Sequence, residues 1–450
     1  MEIDDSTENS TKDHGPVELY PASQNDELNV DLSTDCEAGK QSYVTNIFTA
    51  DKLLELSKTS WCRSVNARGD VQPYLRGCKW SPDGTCCLTV VNNDGVHVIE
   101  LPRDLYEDKV TLDRPVDVLN TVIHVKESGP VYDFCWYPGM NSSYPETCCW
   151  ITTLQNAPIQ MWDAFDGSLR CTYRGFNSVD EMENALSVTF SLDGSKIIAG
   201  YKKSLKTFDV SRPGRDYSEH KISQSASCLA AQENVIAVGS WNTSISLYNI
   251  KETGTYSSIG KMHGHSGGVT HMKFTPDGLK LVSGARKDDT ILVWDLRHYR
   301  KPLNILSRVV DTNQRIYFDI SPCGRYLVSG GTDGIVRVWD SNKIDWINAI
   351  TFDNSNDTDC VTYKFPLHRD CCNSVSIHPF KSILATGSGQ LHLRDPLMTL
   401  QNDVEMCEKT DDVANNTESI DVISNEFKYS KDTENNLIFW WSGTNFNDLL

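Results

Sequence analysis

The chain contains no C-x-x-C pair, no apolar run approaching the ~20 residues of a membrane helix, and no sustained 3.6-residue hydrophobic periodicity. The first absence argues against a zinc ribbon, the second against a helical membrane span, and the third against a helical fold. P-loop, G-x-S-x-G, H-E-x-x-H and dinucleotide-binding fingerprints are missing as well. With no acid–base or nucleophilic constellation left, the expectation is a non-enzymatic protein with no catalytic residues, no cofactor and no metal. The opening Met1–Asn9 is acidic and polar, without the basic start and apolar core of a secretory signal, so no such leader is expected.

What is present begins with fifteen cysteines, an odd number, several of them inside strand-like runs: Cys78, Cys86, Cys87, Cys135, Cys148, Cys149 and Cys372. Free cysteine behaves as a small hydrophobe, and disulfide frameworks belong to short secreted chains. A reducing compartment, cytosol or nucleus, follows. The densest group, Cys360, His368, Cys371 and Cys372, reads as loop and core residues rather than metal ligands.

The net charge of −19 is unevenly distributed. Residues 1–50 hold eleven Asp/Glu against two Lys, and residues 395–450 hold twelve against three, so the middle of the chain is close to neutral. Two stretches are locally basic: 196–221, with seven Lys/Arg against three acids, and 261–340, with twelve against eight. Local patches govern phosphate attraction more than the total does. The acidic ends are expected to keep the chain soluble and to repel non-specific nucleic acid.

Self-similarity is the strongest signal. GHSGGVTHMKFTPDGLKLVSGARKDDTILVWD, from Gly264 to Asp295, is followed by RIYFDISPCGRYLVSGGTDGIVRVWD, from Arg315 to Asp340. Trp294-Asp295 and Trp339-Asp340 close these units, and Trp162-Asp163 closes an earlier one. S-P-D-G-like turns recur at Ser81–Gly84, Ser191–Gly194, Thr275–Gly278 and Ser321–Gly324. A period of ~40–45 residues with four strands per unit is the WD propeller repeat. His265, Ser283, one of Asp288 or Asp289, and Trp294 form its expected buried hydrogen-bonded set, so His265 is structural. Asp163, Asp295 and Asp340 belong to the same repeat text, and Asp166-Gly167 and Asp333-Gly334 are turns.

Seven blades are predicted, making an all-β, seven-bladed WD-repeat β-propeller. An acidic tail at 1–40 is expected to be disordered. Residues 41–395 hold blades one to six and the start of blade seven. An acidic disordered insertion follows at 396–434, and the final propeller strand at 435–450. Blade seven starts with NSVSIHPFKSILATGSG, and its third strand comes only at NNLIFWWSG. A segment between Tyr43 and Trp61 is expected to supply its fourth strand, tying the two ends of the chain and removing free sheet edges.

Several stretches are more specific than a generic propeller: YLRGCKWSPDG (74–84), VYDFCWYPGM (131–140), PIQMWDAFDGSLRCTYR (158–174), SRPGRD (211–216), SGARKDD (283–289), TNQRIYFDISPCGRYLVSGGTDG (312–334) and LIFWW (437–441). Together they resemble the telomerase Cajal body protein family, from about Tyr74 to Gly389 and again over 437–443. The acidic ends are similar in character only. The resemblance implies a nuclear protein enriched in Cajal bodies. It would bind the CAB-box loop of small Cajal-body RNAs and deliver their RNPs there. The implied partners are box H/ACA proteins such as dyskerin, Cajal-body scaffold proteins such as coilin and, in some lineages, the telomerase RNP. No membrane or DNA partner is expected, and no strong nuclear-import run of Lys/Arg is present.

Single-stranded RNA loops are read by stacking on aromatic or Arg planes and by hydrogen bonds to base edges. The candidate RNA-binding residues are Arg286 and Lys287 after a strand, Arg297 after Trp-Asp, Gln314 and Arg315 before an inner strand, and Arg212 and Arg215 near Lys202, Lys203 and Lys206. Two other readings remain open. Trp294-Asp295-Leu296-Arg297 has the W-D-x-R form of cullin–RING ubiquitin-ligase substrate receptors. A propeller channel can also hold an aromatic cage for a modified lysine.

Overall fold

The computed structural model describes residues 48, 52–59, 74–107, 110–111, 113–251, 254–343, 361–392 and 434–443. The expectations for residues 1–40, Cys360 and residues 396–433 lie outside these. Among the described residues, no helix is long and apolar enough to cross a membrane.

The strands form six four-stranded sheets and one five-stranded sheet, the seven blades of a β-propeller. The inner strands are Leu75–Trp80, Val131–Trp136, Ser187–Phe190, Ala226–Gln232, Val269–Phe274, Phe318–Ile320 and Cys372–Ile377. Each packs against its neighbours around the ring. The last gap, between blades one and two, is bridged by Lys79 Nζ donating to Phe134 O at 2.6 Å and Trp136 Nε1 donating to Lys79 O at 3.0 Å. Eleven described cysteines are free, eight of them buried. Burial pushes the Cys86 and Cys228 thiols up to about 12, which suits packing rather than reactivity.

The recurring turn has one mechanism. In Ser81–Gly84, Ser81 Oγ donates to Asp83 Oδ1 at 2.6 Å, the Thr85 N–H donates to the same oxygen, and Gly84 takes φ +73°. Gly194, Gly278 and Gly324 repeat that φ. At Ser321–Gly324 the acid is replaced by Cys323, whose Sγ lies 3.2 Å from Ser321 Oγ.

Blade five contains the predicted buried set and resolves its acid as Asp288. Trp294 Nε1 donates to Ser283 Oγ at 2.8 Å, Ser283 Oγ lies 2.7 Å from His265 Nε2, and His265 Nδ1 lies 2.9 Å from Asp288 Oδ2. Blade seven repeats this chain with residues the sequence reading did not assign. Trp440 Nε1 donates to Thr386 Oγ1 at 2.7 Å, and His368 joins Thr386 to Glu434 at 2.7 and 3.1 Å. Blade two has a shortened form: Trp162 Nε1 donates to Thr152 Oγ1, which donates to Glu127 Oε1. Blade six has no histidine here. Arg308 reaches Ser329 Oγ at 3.1 Å, and the fully buried Trp339 indole has no hydrogen-bond partner among the described residues. The aspartates of the three Trp-Asp pairs are each clamped by an arginine of their own blade, Asp163 by Arg170, Asp295 by Arg297 and Asp340 by Arg325. Asp333 is bonded to Arg337 at 2.6 Å.

Burial works against the charge of Glu434, but bonds from His368, the Arg369 N–H and Asn436 outweigh it and hold its pKa down at about 2. A carboxylate whose folded pKa lies below its usual value of 4.5 stabilises the fold above that value, and this is lost as pH falls from 4.5 toward 2. Glu434→Gln is therefore expected to flatten the fall of Tm between pH 5 and pH 3, checked by calorimetry. Parallel Tm–pH curves for the two proteins would show that the acid contributes nothing in that window.

Blade seven closes as a five-stranded sheet: Cys372–Ile377, Ile383–Ser388, Leu437–Trp441, Leu54–Thr59 and Asp117–Leu119. The third strand is indeed LIFWW, and the fourth falls inside the predicted 43–61 segment. Leu54 pairs with Trp441 and Lys58 with Ile438, with a bulge between Glu55 and Ser57. The fifth strand was not anticipated. Asp117–Leu119 runs parallel to Leu54–Thr59 and covers its open edge. Arg114 secures it by donating to Leu56 O and pairing with Asp104 and Asp117.

Candidate nucleic-acid interface

In an antiparallel four-stranded blade, successive connections alternate between two ends. The turn joining second and third strands shares an end with the link to the next blade's inner strand. This rule sorts the candidate residues.

Arg286 and Lys287 occupy the turn between Lys280–Ala285 and Thr290–Asp295 in blade five. Lys287 adopts φ +47°, unusual for a side-chain-bearing residue. The Lys287 N–H donates to Thr312 O at 3.1 Å, and Thr312 Oγ1 accepts the Gln314 N–H at 3.3 Å. Gln314 thus reaches the same end from the link between blades five and six. Its amide Oε1 and Nε2 are shut off from solvent without a hydrogen-bond partner among the described residues. On the other side, Gly267 and Gly268 pass beneath Arg286. A Cβ at Gly267 would lie 1.9 Å from Arg286 O, and one at Gly268 would lie 2.9 Å from the Trp241 backbone. Glycine is needed there to let three loops meet. Trp241, in the corresponding turn of blade four, is 46% exposed. Neither Arg286 nor Lys287 forms an ion pair among the described residues; Lys287 is exposed and Arg286 half-buried over the two glycines. Trp241 was missed in the sequence, although GSWNTS places an aromatic in a turn where polar residues are usual.

The remaining candidates lie elsewhere. Arg315 was expected beside Arg286 and Lys287, but it points into the channel with its side chain 18% exposed. Its Nη1 pairs with Asp133 Oδ1 at 2.9 Å and its Nη2 donates to Ser227 O at 3.2 Å. Burial opposes that charge, while Tyr317 and Asp133 more than offset it and raise the guanidinium pKa above its usual value. The physical reason is an otherwise unpaired aspartate across the ring. Arg297 is in the turn between third and outer strands of blade five, at the opposite end, and grips Asp295 through Nε at 3.0 Å and Nη2 at 2.6 Å. Arg212 and Arg215 sit on the outer rim, where Gly214 bridges to Tyr173 of blade two. Arg215 pairs with Asp180 and stacks over Phe176 at 4.0 Å, while Arg212 lies 3.6 Å from Asp216. Lys206 is wholly buried between Glu183 and Glu219, 4.2 Å from the Tyr201 ring, so it offers no cation to a ligand. Phe134 and Tyr317 face a cation of the chain itself, Lys79 Nζ, at 4.5 and 5.9 Å.

The family described as WD domain, G-beta repeat matches residues 256–295 and 313–340. The telomerase Cajal body protein 1 homolog of Drosophila melanogaster is 42% identical over 402 residues, covering 87% of this chain and 69% of the fly protein. The chain belongs to the telomerase Cajal body protein family. Telomerase Cajal body protein 1 of Mus musculus is 41% identical over 332 residues, and that of Homo sapiens 40% over 334, each covering 72% of this chain. The chain spans 60% and 58% of those two proteins. Within this member of the telomerase Cajal body protein family, the two segments that depart most from propeller consensus, SGARKDD and TNQRIYFD, meet at one junction, through the Lys287–Thr312 bond.

Proposed function

We propose that this chain is a non-enzymatic, nuclear RNA-binding subunit. It takes a single-stranded RNA loop of the CAB-box kind on the face carrying Trp241, Arg286 and Lys287, and directs small Cajal-body RNPs to the Cajal body. The observation that carries this reading is the junction itself: an exposed indole near two cations without an ion-pair partner among the described residues, where the SGARKDD and TNQRIYFD segments meet. A base stacked on Trp241 would contribute roughly 1–3 kcal/mol. Arg286 and Lys287 would neutralise phosphate, with Arg also able to stack. Arg315, held by Asp133, serves the ring in this reading. The names of the relatives mention telomerase and the Cajal body; this reading expects the telomerase RNP as one client and dyskerin and coilin as protein neighbours.

Crosslinking and immunoprecipitation with sequencing of bound RNA tests it. Wild type is expected to enrich small guide RNAs with reads concentrated at a short loop. Arg286→Glu/Lys287→Glu is expected to lose that enrichment, and Trp241→Ala to weaken a purified loop RNA by about 5- to 150-fold. The charge-reversed protein should also show a shallower dependence of affinity on salt. RNA bound equally by all three proteins would remove the site. No RNA above background, with protein partners that survive RNase, would replace the reading with a protein scaffold such as a ubiquitin-ligase substrate receptor.

A further inference from the structure

We propose that blade one carries a site for one divalent transition ion of the Zn2+ class, held by Asp94, His97 and His124. None of the three belongs to the repeat signature, and the proposal stands independently of the RNA reading.

His97, on the third strand Gly95–Glu100, lies directly opposite His124, on the outer strand Thr121–Val125. Their rings are parallel, with centroids 4.3 Å apart and 9° between planes. Both turn Nε2 toward one carboxylate: His97 Nε2 is 3.1 Å from Asp94 Oδ2, and His124 Nε2 is 3.4 Å from Asp94 Oδ1. All three donor atoms lie within 4.8 Å of one another. A tetrahedral Zn2+ with bonds of about 2.0–2.1 Å holds neighbouring ligand atoms about 3.3 Å apart. The two His–Asp separations, 3.1 and 3.4 Å, already match that spacing, and a tilt of the solvent-reached His124 ring out of its stack would turn its Nε2 toward the same ion.

The backbone fixes this arrangement. Asp94 sits in a tight turn between Asn93 at φ +61° and Gly95 at φ +114°. A Cβ on Gly95 would fall 2.2 Å from Val125 O, so only glycine lets the turn press against the strand next to His124. His97 Nδ1 lies 3.2 Å from Thr121 Oγ1, the outward hydrogen bond that orients a metal-bound imidazole. Access is graded: the His97 side chain is 5% exposed, while His124, at 40%, opens the site to solvent. Two imidazoles and a carboxylate leave the fourth position to water or to a donor from a partner. His124 Nε2, now 2.9 Å from Asp94 O, would exchange that contact for the metal. The ion would staple the third strand, the outer strand and their neighbouring turn.

The test is a Co2+ titration of the full chain, reduced and stripped of metal by a chelator. The expected result is one equivalent bound, with visible d–d bands of a nitrogen–oxygen site, no thiolate-to-cobalt charge transfer, and displacement by Zn2+. His124→Ala and Asp94→Asn, both at solvent-reached positions, are each expected to lower affinity at least ~10-fold with an unchanged circular dichroism spectrum. Absence of saturable binding up to millimolar Co2+ overturns the proposal. So does a thiolate charge-transfer band, or an equivalent bound equally well by both variants. Those outcomes would leave the three residues as a hydrogen-bonded cluster alone.

Discussion

Deleting residues 1–60 is expected to abolish cooperative unfolding of the propeller. The deletion removes Leu54–Thr59, the strand that lies between Leu437–Trp441 and Asp117–Leu119. Three losses coincide. Leu56 is wholly buried against Leu75, Phe439 and Trp441, and losing such a side chain alone costs about 2–5 kcal/mol. The Leu437 N–H loses its Thr59 Oγ1 acceptor, along with the ladder to Leu437–Trp441. Arg114 loses the Leu56 carbonyl and Asp117–Leu119 loses its partner strand among the described residues, so the second edge opens too. Against a typical stability of about 5–15 kcal/mol for a whole domain, this sum is decisive. Differential scanning calorimetry and limited proteolysis check it, with Leu56→Ala as a milder control expected to lower stability by about 2–5 kcal/mol. A deletion variant that unfolds at the wild-type temperature would show that blade seven holds without its closing strand.

The second large effect lies in the channel. Asp133→Ala is expected to destabilise by about 3–5 kcal/mol, because it leaves the Arg315 cation buried with, among the described residues, Ser227 O and the Tyr317 hydroxyl in reach and no acid. Asp133 also accepts the Val188 N–H at 3.2 Å through Oδ2, so blades two, three, four and six meet at this pair. The double variant Asp133→Ala/Arg315→Met is expected to recover most of the loss, since replacing both charges by apolar groups removes the unpaired cation. A double-mutant cycle by denaturant unfolding measures this coupling. Additive single effects would mean that the two charges do not depend on each other.

The pair also explains one difference between the sequence reading and the fold. Arg315 stands one residue after Gln314 and 28 after Lys287, so linear reading groups all three as loop cations. Its partner Asp133 is 182 residues away, and no local pattern connects them. The same reason hid Glu434. The acid of the blade-seven chain stands in the position Asp288 takes in blade five, but it follows a segment of more than forty residues and so looks like part of that segment. Arg297, by contrast, answers to Asp295 two residues before it, at the end opposite Arg286. Trp241 was legible in principle, as an aromatic in a polar turn, but its meeting with Arg286 depends on Gly267 and Gly268 passing between blades.

By itself the sequence determined the repeat, its turns, the seven blades, the late third strand of blade seven and the segment that closes the ring. These follow from local rules: strand burial, proline and glycine dihedrals, and small residues beside a buried Trp. Only the tertiary structure decided which charges remain free. Among the described residues no acid reaches Arg286 or Lys287, whereas Arg315, Arg215 and Lys206 are taken up by Asp133, Asp180 and Glu183. Ion pairing depends on through-space distance, and ring closure brings together residues whose separation along the chain says nothing of their separation in space.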